Sequence, residues 1–281
     1  MSKTTSITAI LVGGRETRHL RVPKQTLPFG DTTVLGRTLR AYLEVGVDDI
    51  ILVLGYKGES VRSSLGTLPP KVRIVKNPLF DEGMVTFLRT GVRELNASAT
   101  GFCVGLGDQP LLTPALVEEF LKAFVDSKKR ILVPAHQGNL GLPIFLAADL
   151  AGEVQDLPAG GELWDILKRH REEVFDYPTG YSAVVRSISD LDDYHTMLRM
   201  AGLDIPDLPE AIHAEPAEEI ETDDEADTVG LEPQADRGGA SPDVQAQARP
   251  VRTAEPQPSA DLETRSAPDV PMQTQPPSEE P

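Results

Sequence analysis

Two glycines, Gly13 and Gly14, precede Arg15, Arg18, Arg21 and Lys24, so that four cations fall within ten residues of a predicted backbone turn. A triphosphate needs such a combination. Glycines let amide donors come close, arginine forks onto phosphate oxygens and lysine supplies a compact charge. The same residues would equally make a glycine turn flanked by solvated basic side chains. The stretch has no Gly-Lys-Ser or Gly-Lys-Thr of a Walker loop and no Gly-x-Gly-x-x-Gly dinucleotide fingerprint. Spacing alone therefore defines a candidate phosphate loop.

The elements that must position this loop are legible around it. Ile7 to Val12 is a short apolar run stopped by the glycine pair, which predicts a buried strand ending in a tight loop. Leu35, Leu39, Tyr42 and Leu43 recur at helical spacing; Ile50 to Leu54 reads as a second buried strand, Val61 and Leu65 as a short helix and Val72 to Val75 as a third strand. Gly101 to Leu106 supplies another strand, ending at Gly107. Thr113 and Pro114 then start a helix with Leu116, Val117, Phe120, Leu121, Phe124 and Val125 on one face. Ile131 to Val133 and Pro143 to Leu146 predict strands, Leu163 to Lys168 a helix carrying Trp164, Ser182 to Val185 a last strand and Leu191 to Leu198 a last helix. Uniformly apolar strands alternating with helices indicate an α/β domain with a mainly parallel sheet covered on both faces. Ligands of such sheets lie outside the carboxyl ends of strands, which directs attention to the loops after Val12, Leu106 and Val185.

In these loops the chain resembles the MobA-like nucleotidyltransferases, the family of the molybdenum cofactor cytidylyltransferase and guanylyltransferase, and more distantly the sugar-phosphate nucleotidyltransferases. Leu11, Gly13, Gly14, Arg18, Pro23, Lys24, Leu27 and Pro28 match the family signature, while His19 and Leu20 replace its usual Met-Gly. Asn77-Pro78, Gly83-Met84 and Leu88 to Gly91 look like the segment beside the substrate, with Val85, Thr86 and Phe87 in place of a hydroxyl-rich run. Gly107-Asp108-Gln109-Pro110 stands where the family holds a divalent cation; Asn139 to Phe145 follows its Gly-His-Pro pattern, with Leu142 for the histidine.

The resemblance implies a three-layer, Rossmann-like nucleotidyltransferase fold of GT-A type over residues 1–205. It also implies magnesium-dependent transfer from a nucleoside triphosphate, with a leaning to CTP, to a phosphorylated small molecule such as a molybdopterin-like compound. In that scheme Arg18, Lys24 and Asp108 carry catalysis. Leu11, Gly13, Gly14, Arg15, Arg18, Lys24 and Gly107 line the nucleotide; Met84, Arg89, Gln109 and Gly141 line the acceptor; Asp108 binds Mg2+. Asp108 alternatively caps its own turn. Ser187 and Ser189 replace two leading acids of the family's second metal motif, and Asp190 beside them would point to the opposite face of a strand. These departures leave open a non-catalytic nucleotide- or cofactor-binding relative with a regulatory or assembly role.

Composition separates this domain from the carboxyl-terminal part of the chain. Of the formal net charge of −17, the stretch from Ala211 to Pro281 carries 17 acids against four arginines, with 11 prolines and no aromatic residue. Such a segment buries too little apolar surface to offset the entropy of ordering it, so residues 206–281 read as a disordered acidic tail. Its acid-rich part, Glu215 to Asp227, could draw a basic protein partner or simply solubilise the chain. The acidic balance argues against general nucleic-acid binding. The lone Cys103 excludes an intrachain disulfide framework, and no apolar run is long enough to span a bilayer, so a cytoplasmic protein without a membrane partner is expected. The five histidines show no metal-site spacing, and Trp164 reads as core or interface. Limited proteolysis should therefore remove the chain beyond about Pro209 and leave a compact fragment beginning near Ile7. Strong amide protection throughout Glu215 to Asp269 would contradict that division.

Overall fold

A computed structural model describes residues 5–14, 20–208 and 212. In chain order it contains β1 (Ile7–Gly13), β2 (Pro28–Phe29), β3 (Thr32–Thr33), α1 (Val34–Leu43), β4 (Asp49–Leu54), α2 (Gly58–Ser64), β5 (Val72–Lys76), α3 (Met84–Arg93) and β6 (Gly101–Leu106). There follow α4 (Pro114–Ser127), β7 (Ile131–His136), β8 (Asn139–Leu140), β9 (Ile144–Ala147), α5 (Ala151–Gln155), α6 (Leu163–Arg169), β10 (Val174–Pro178) and α7 (Leu191–Met200). The main sheet runs β10-β7-β9-β6-β1-β4-β5, with β8 paired to β7. Its strands are parallel apart from β8 and β9, which run antiparallel to their neighbours. This is a Rossmann-like α/β fold with a mixed central sheet flanked by helices.

Side chains of β1 alternate between two packed faces. Ile7, Ala9 and Leu11 join α1 and α4 residues such as Leu35, Leu39, Phe120 and Phe124, whereas Ile10 and Val12 join Phe87, Leu88, Leu150 and Ile166. Both faces of the strand are covered, which explains its continuous apolar sequence. Thr113 accepts a hydrogen bond from the Leu116 amide and Pro114 occupies the first turn, so α4 begins where its cap predicts. The predicted apolar face of α4 holds as far as Phe124, but Val125 is 42% exposed and belongs to the opposite side.

A third cluster has direct bearing on the candidate loop. Leu20, Leu27, Phe29 and Val34 pack against Ile188, Tyr194, Met197 and Leu198, tying the β2–β3 hairpin to α7. The Tyr194 hydroxyl donates to the Pro28 carbonyl, and burial pushes its pKa up to about 12. The loop that begins after β1 is thus anchored at its far end by apolar burial.

Two expectations are corrected. Ser182–Val185 is a 3-10 turn outside the sheet, whereas β10, which was not anticipated, forms one sheet edge. A run of four small and branched residues suits either conformation, and here it lies across the loop entering β9: Leu142 N donates to Val184 O at 2.9 Å. Val85 and Phe87, expected beside a substrate, are 2% and 0% exposed core residues on α3. Between them Thr86 accepts from the Asn77 amide and donates to backbone carbonyls, closing a buried polar knot.

No helix among the described residues is long and apolar enough to cross a membrane. The acidic tail and its suggested basic partner lie outside the described residues, apart from the first positions after 205 and residue 212.

His170 closes the far side of the domain. Its ring nitrogens lie 2.9 Å from Glu173 and 2.7 Å from Glu153, and Arg130 pairs with Glu173 at 3.0 Å. The hydrogen bond to Glu173 raises the His170 pKa most, opposed by desolvation and reinforced by Glu153. A raised pKa means that the protonated ring binds the fold more tightly. Its contribution is complete below the ordinary value of 6.5 and lost as pH rises through the raised folded-state value. Thermal unfolding should therefore show the wild type losing stability over that interval relative to His170→Gln; parallel curves would show that the histidine contributes no such dependence.

Candidate functional site

The site begins with register. Val12 in β1 pairs with Leu106 in β6, so the two loops leave the sheet side by side, and Gly107 N donates to Val12 O at 2.8 Å. A Cβ on Gly107 would lie 2.8 Å from Leu35 and 3.1 Å from the Val12 carbonyl, so the close approach requires glycine. Asp108 and Gln109 follow, 5% and 2% exposed.

Pro23 leads into a 3-10 turn at Lys24–Thr26, which aims Lys24 back across the strand ends. Its ammonium pairs with the Asp108 carboxylate and donates to the Ile188 carbonyl, while Ile188 N donates to Asp108 O at 3.3 Å. The Lys24 and Asp108 side chains are 14% and 6% exposed, so neither charge is extensively hydrated and each depends on the other. Three segments far apart in sequence are held at one point.

Ser187 and Ser189 border the same place. With Lys24, Gln25, Asp108 and Leu106 they line a cavity of about 130 Å³. Ile188 between them is buried in the third cluster, so the two serines face the cavity although no strand forms there. Asp190 is engaged elsewhere: it caps α7 by accepting from Asp193 N at 2.8 Å, and Asp193 in turn accepts from Ser189 N at 2.9 Å. Gln25, not anticipated from sequence, is 2% exposed and its Oε1 has no donor among the described residues. Its only sequence signal was adjacency to Lys24.

These donors bear on metal binding. One carboxylate, one orphaned amide oxygen and two hydroxyls form an all-oxygen set suited to a hard cation. Among the described residues no cluster of three His, Cys, Asp or Glu is present, so a divalent ion here would meet little protein charge and retain much of its water. The residues fit a hydrated ion better than a tightly caged one.

The remaining expected residues divide. Leu11 is wholly buried under the α1 face and offers only its backbone outward. Gly13 ends β1; Gly14 has φ +142°, and a Cβ there would meet Gly55 N at 2.8 Å, so packing alone accounts for a glycine at this position. Arg15 and Arg18 lie outside the described residues. Arg89 donates to the Leu157 carbonyl.

Met84, Gln109 and Gly141 line hollows that continue from the charged cavity. An outer hollow of about 440 Å³ is bordered by Gln109, Gly141, Leu142, Trp164, Arg186 and Ser187; a deeper one of about 250 Å³ is bordered by Met84, Leu88, Leu142, Ile144, Glu162 and Trp164. Trp164 is thus both packed against the core and part of a pocket wall. A Cβ on Gly141 would stand 2.5 Å from the Val184 carbonyl, so glycine is what allows the Ser182–Val185 turn to close over this side.

The MobA-like NTP transferase domain family matches residues 8–174. A probable glucose-1-phosphate cytidylyltransferase of Bacillus subtilis (strain 168) is 32% identical over 104 residues, 31% of this chain; the match spans 40% of that relative's length. The crystal structure of Rv0371c from Mycobacterium tuberculosis H37Rv is similar with a TM-score of 0.62 at 28% identity, over 69% of this chain and 98% of that one. Its complex with manganese gives 0.58 at the same identity and coverage.

The paired charges make a prediction that needs no ligand. Lys24→Met should lower stability to chemical denaturation by about 3–5 kcal/mol, because Asp108 is left buried without its partner. The double change Lys24→Met, Asp108→Asn should recover most of the loss. Additive losses would show that the pair is not coupled.

Proposed function

Because the chain belongs to the MobA-like NTP transferase family, we propose that it transfers a nucleotidyl group from a nucleoside triphosphate, CTP by preference, to a phosphorylated small molecule. The family's general chemistry is NTP-dependent nucleotidyl transfer to a small phosphorylated molecule. A molybdopterin-like compound is the candidate acceptor suggested by the resemblance. The observation that carries the reading is the convergence of Lys24, Gln25, Asp108, Ser187 and Ser189 on one cavity at the carboxyl ends of β1 and β6.

In this reading an acceptor phosphate oxygen attacks the α-phosphorus, the bond to the β-phosphate oxygen breaks and pyrophosphate leaves. Negative charge grows on the leaving group. Lys24 would shift from Asp108 to the α-phosphate and Arg18 would hold the β- and γ-oxygens, each being most effective where water is excluded. Gly13 and Gly107 bring backbone close to the nucleotide, and the walls of the outer hollow hold the acceptor in line. A bound magnesium ion, held by Asp108 directly and by Gln25, Ser187 and Ser189 through water, would supply charge neutralisation on the phosphates. A divalent metal is also named with Rv0371c, in its manganese complex. A cytoplasmic site of action belongs to the same proposal.

The replacement of acids by Ser187 and Ser189 favours a second reading, a relative that binds nucleotide without turnover. Calorimetry with CTP, GTP, ATP and UTP plus magnesium should find one preferred base, weakened by Arg18→Ala and Lys24→Ala. Pyrophosphate release should vanish in Asp108→Asn, and Ser187→Asp with Ser189→Asp should tighten metal binding. Affinity unchanged by magnesium in both the wild type and Asp108→Asn would remove the transferase reading; failure of all four nucleotides would remove nucleotide binding itself.

A further inference from the structure

The hollows beside the charged cavity differ sharply in chemistry. Leu106 and Ser187 border both the cavity at Asp108 and the outer hollow, while Leu106, Leu142 and Trp164 border both the outer and the inner hollow. The three spaces therefore form a graded series leading away from Asp108. Its first part is ionic, its middle mixed and its deepest part apolar.

The inner part is walled by Met84, Leu88, Val104, Leu142, Ile144 and Trp164. Its one charged side chain, Glu162, already accepts from the backbone of the first turn of α6 in a capping box. A ligand rich in hydroxyls would leave those groups unpaired in this space, at a cost a carbon surface does not incur. The volume of about 250 Å³ equals the share of roughly eight water molecules in the liquid, enough for a two-ring hydrocarbon.

The middle part adds two polar requirements. Gln109 Nε2 donates to the carbonyl oxygens of Val184 at 3.2 Å and Ala183 at 3.5 Å; because carbonyls only accept, the orientation of the amide is fixed. Gln109 Oε1 is then an acceptor, and it is buried without a donor among the described residues although Gln109 borders the hollow. A ligand N–H or O–H would satisfy it. Exposed Arg186 lies at the rim, and among the described residues its one side-chain hydrogen bond is to Ser182 at 3.3 Å, which leaves guanidinium donors for an anion.

From this gradient we infer that the acceptor is an amphipathic phosphorylated molecule, with its phosphate toward Ser187 and Arg186, a hydrogen-bond donor at Gln109 and an apolar body against Leu142 and Trp164. The inference rests on the transferase reading for the role of the phosphate and narrows the acceptor class. It sets this pocket apart from one built for a bare sugar phosphate.

Trp164 is the chain's single tryptophan, so its fluorescence reports on the pocket directly. The full chain is titrated with 1-naphthyl phosphate, glucose 1-phosphate and inorganic phosphate, with and without magnesium and α,β-methylene CTP. Naphthyl phosphate, followed by calorimetry because its own ultraviolet emission overlaps that of tryptophan, should bind at least about tenfold more tightly than glucose 1-phosphate. Leu142→Asn should bring the two within about twofold, while Arg186→Ala should weaken both by a similar factor. Met84→Gln provides the same readout should the first variant fail to fold. Equal binding of the two organic phosphates by the wild type, or an unchanged ratio in a folded Leu142→Asn, would overturn the inference. A preserved aryl preference in a protein that does not bind the CTP analogue would support the pocket assignment and instead defeat the nucleotidyl-transfer reading.

Discussion

The site depends on one desolvated ion pair. Lys24 and Asp108 lie 84 residues apart in sequence, yet their charges are largely withdrawn from water together, and neither is tolerable there alone. Ile188 joins them through its carbonyl and its amide, which makes the pair a junction of three chain segments. The surrounding apolar structure serves that junction. The third cluster fixes the β2–β3 hairpin and α7, and hence the approach of Lys24 from one side and of Ser187 to Ser189 from the other. Attraction inside a low-dielectric pocket is strong only when geometry is already held, and here it is held by burial of Phe29, Ile188 and Tyr194.

Much of this frame was legible in the chain itself. The apolar runs of β1, β4 and β6 are buried on both faces, and sequences of that kind admit few alternatives to an interior parallel strand. Thr113-Pro114 fixes the start of α4 because a cap is local chemistry. Ser182–Val185 misled because so short a run carries no period that separates a strand from a 3-10 turn; its conformation is chosen by contact with Gly141 and Leu142, far earlier in the chain. Val125 was misassigned for a related reason. Helical spacing marks the borders of a face only approximately, and the packing of β7 and β10 against α4 decides where the face ends.

At the site, local motifs identified residues more readily than they identified partners. Asp108 stands out in Gly107-Asp108-Gln109-Pro110, but nothing in that motif shows that Lys24 neutralises it, since the contact exists only through tertiary structure. Ser187 and Ser189 do share a cavity, as alternation on a strand would have required, yet the cause is different: Ile188 is drawn into the core between them. Gln25 was invisible because its significance lies in an unpaired oxygen, and pairing is a property of the folded surroundings rather than of residue type. Val85 and Phe87, by contrast, drew attention as departures in a motif while their burial makes them ordinary core residues.

The serines at 187 and 189 bear on the same ion pair. A second carboxylate in so small a cavity would sit beside Asp108 and demand a cation in compensation, and among the described lining residues Lys24 supplies one positive charge. With serines there, Lys24 and Asp108 balance each other among the described residues that line the cavity. In the proposed reaction, a triphosphate that drew Lys24 toward its phosphates would leave Asp108 without its partner, and Asp108 would then be available to hold a divalent ion. On that reading charge balance would couple metal binding to nucleotide binding, through the residue that also holds the three segments together.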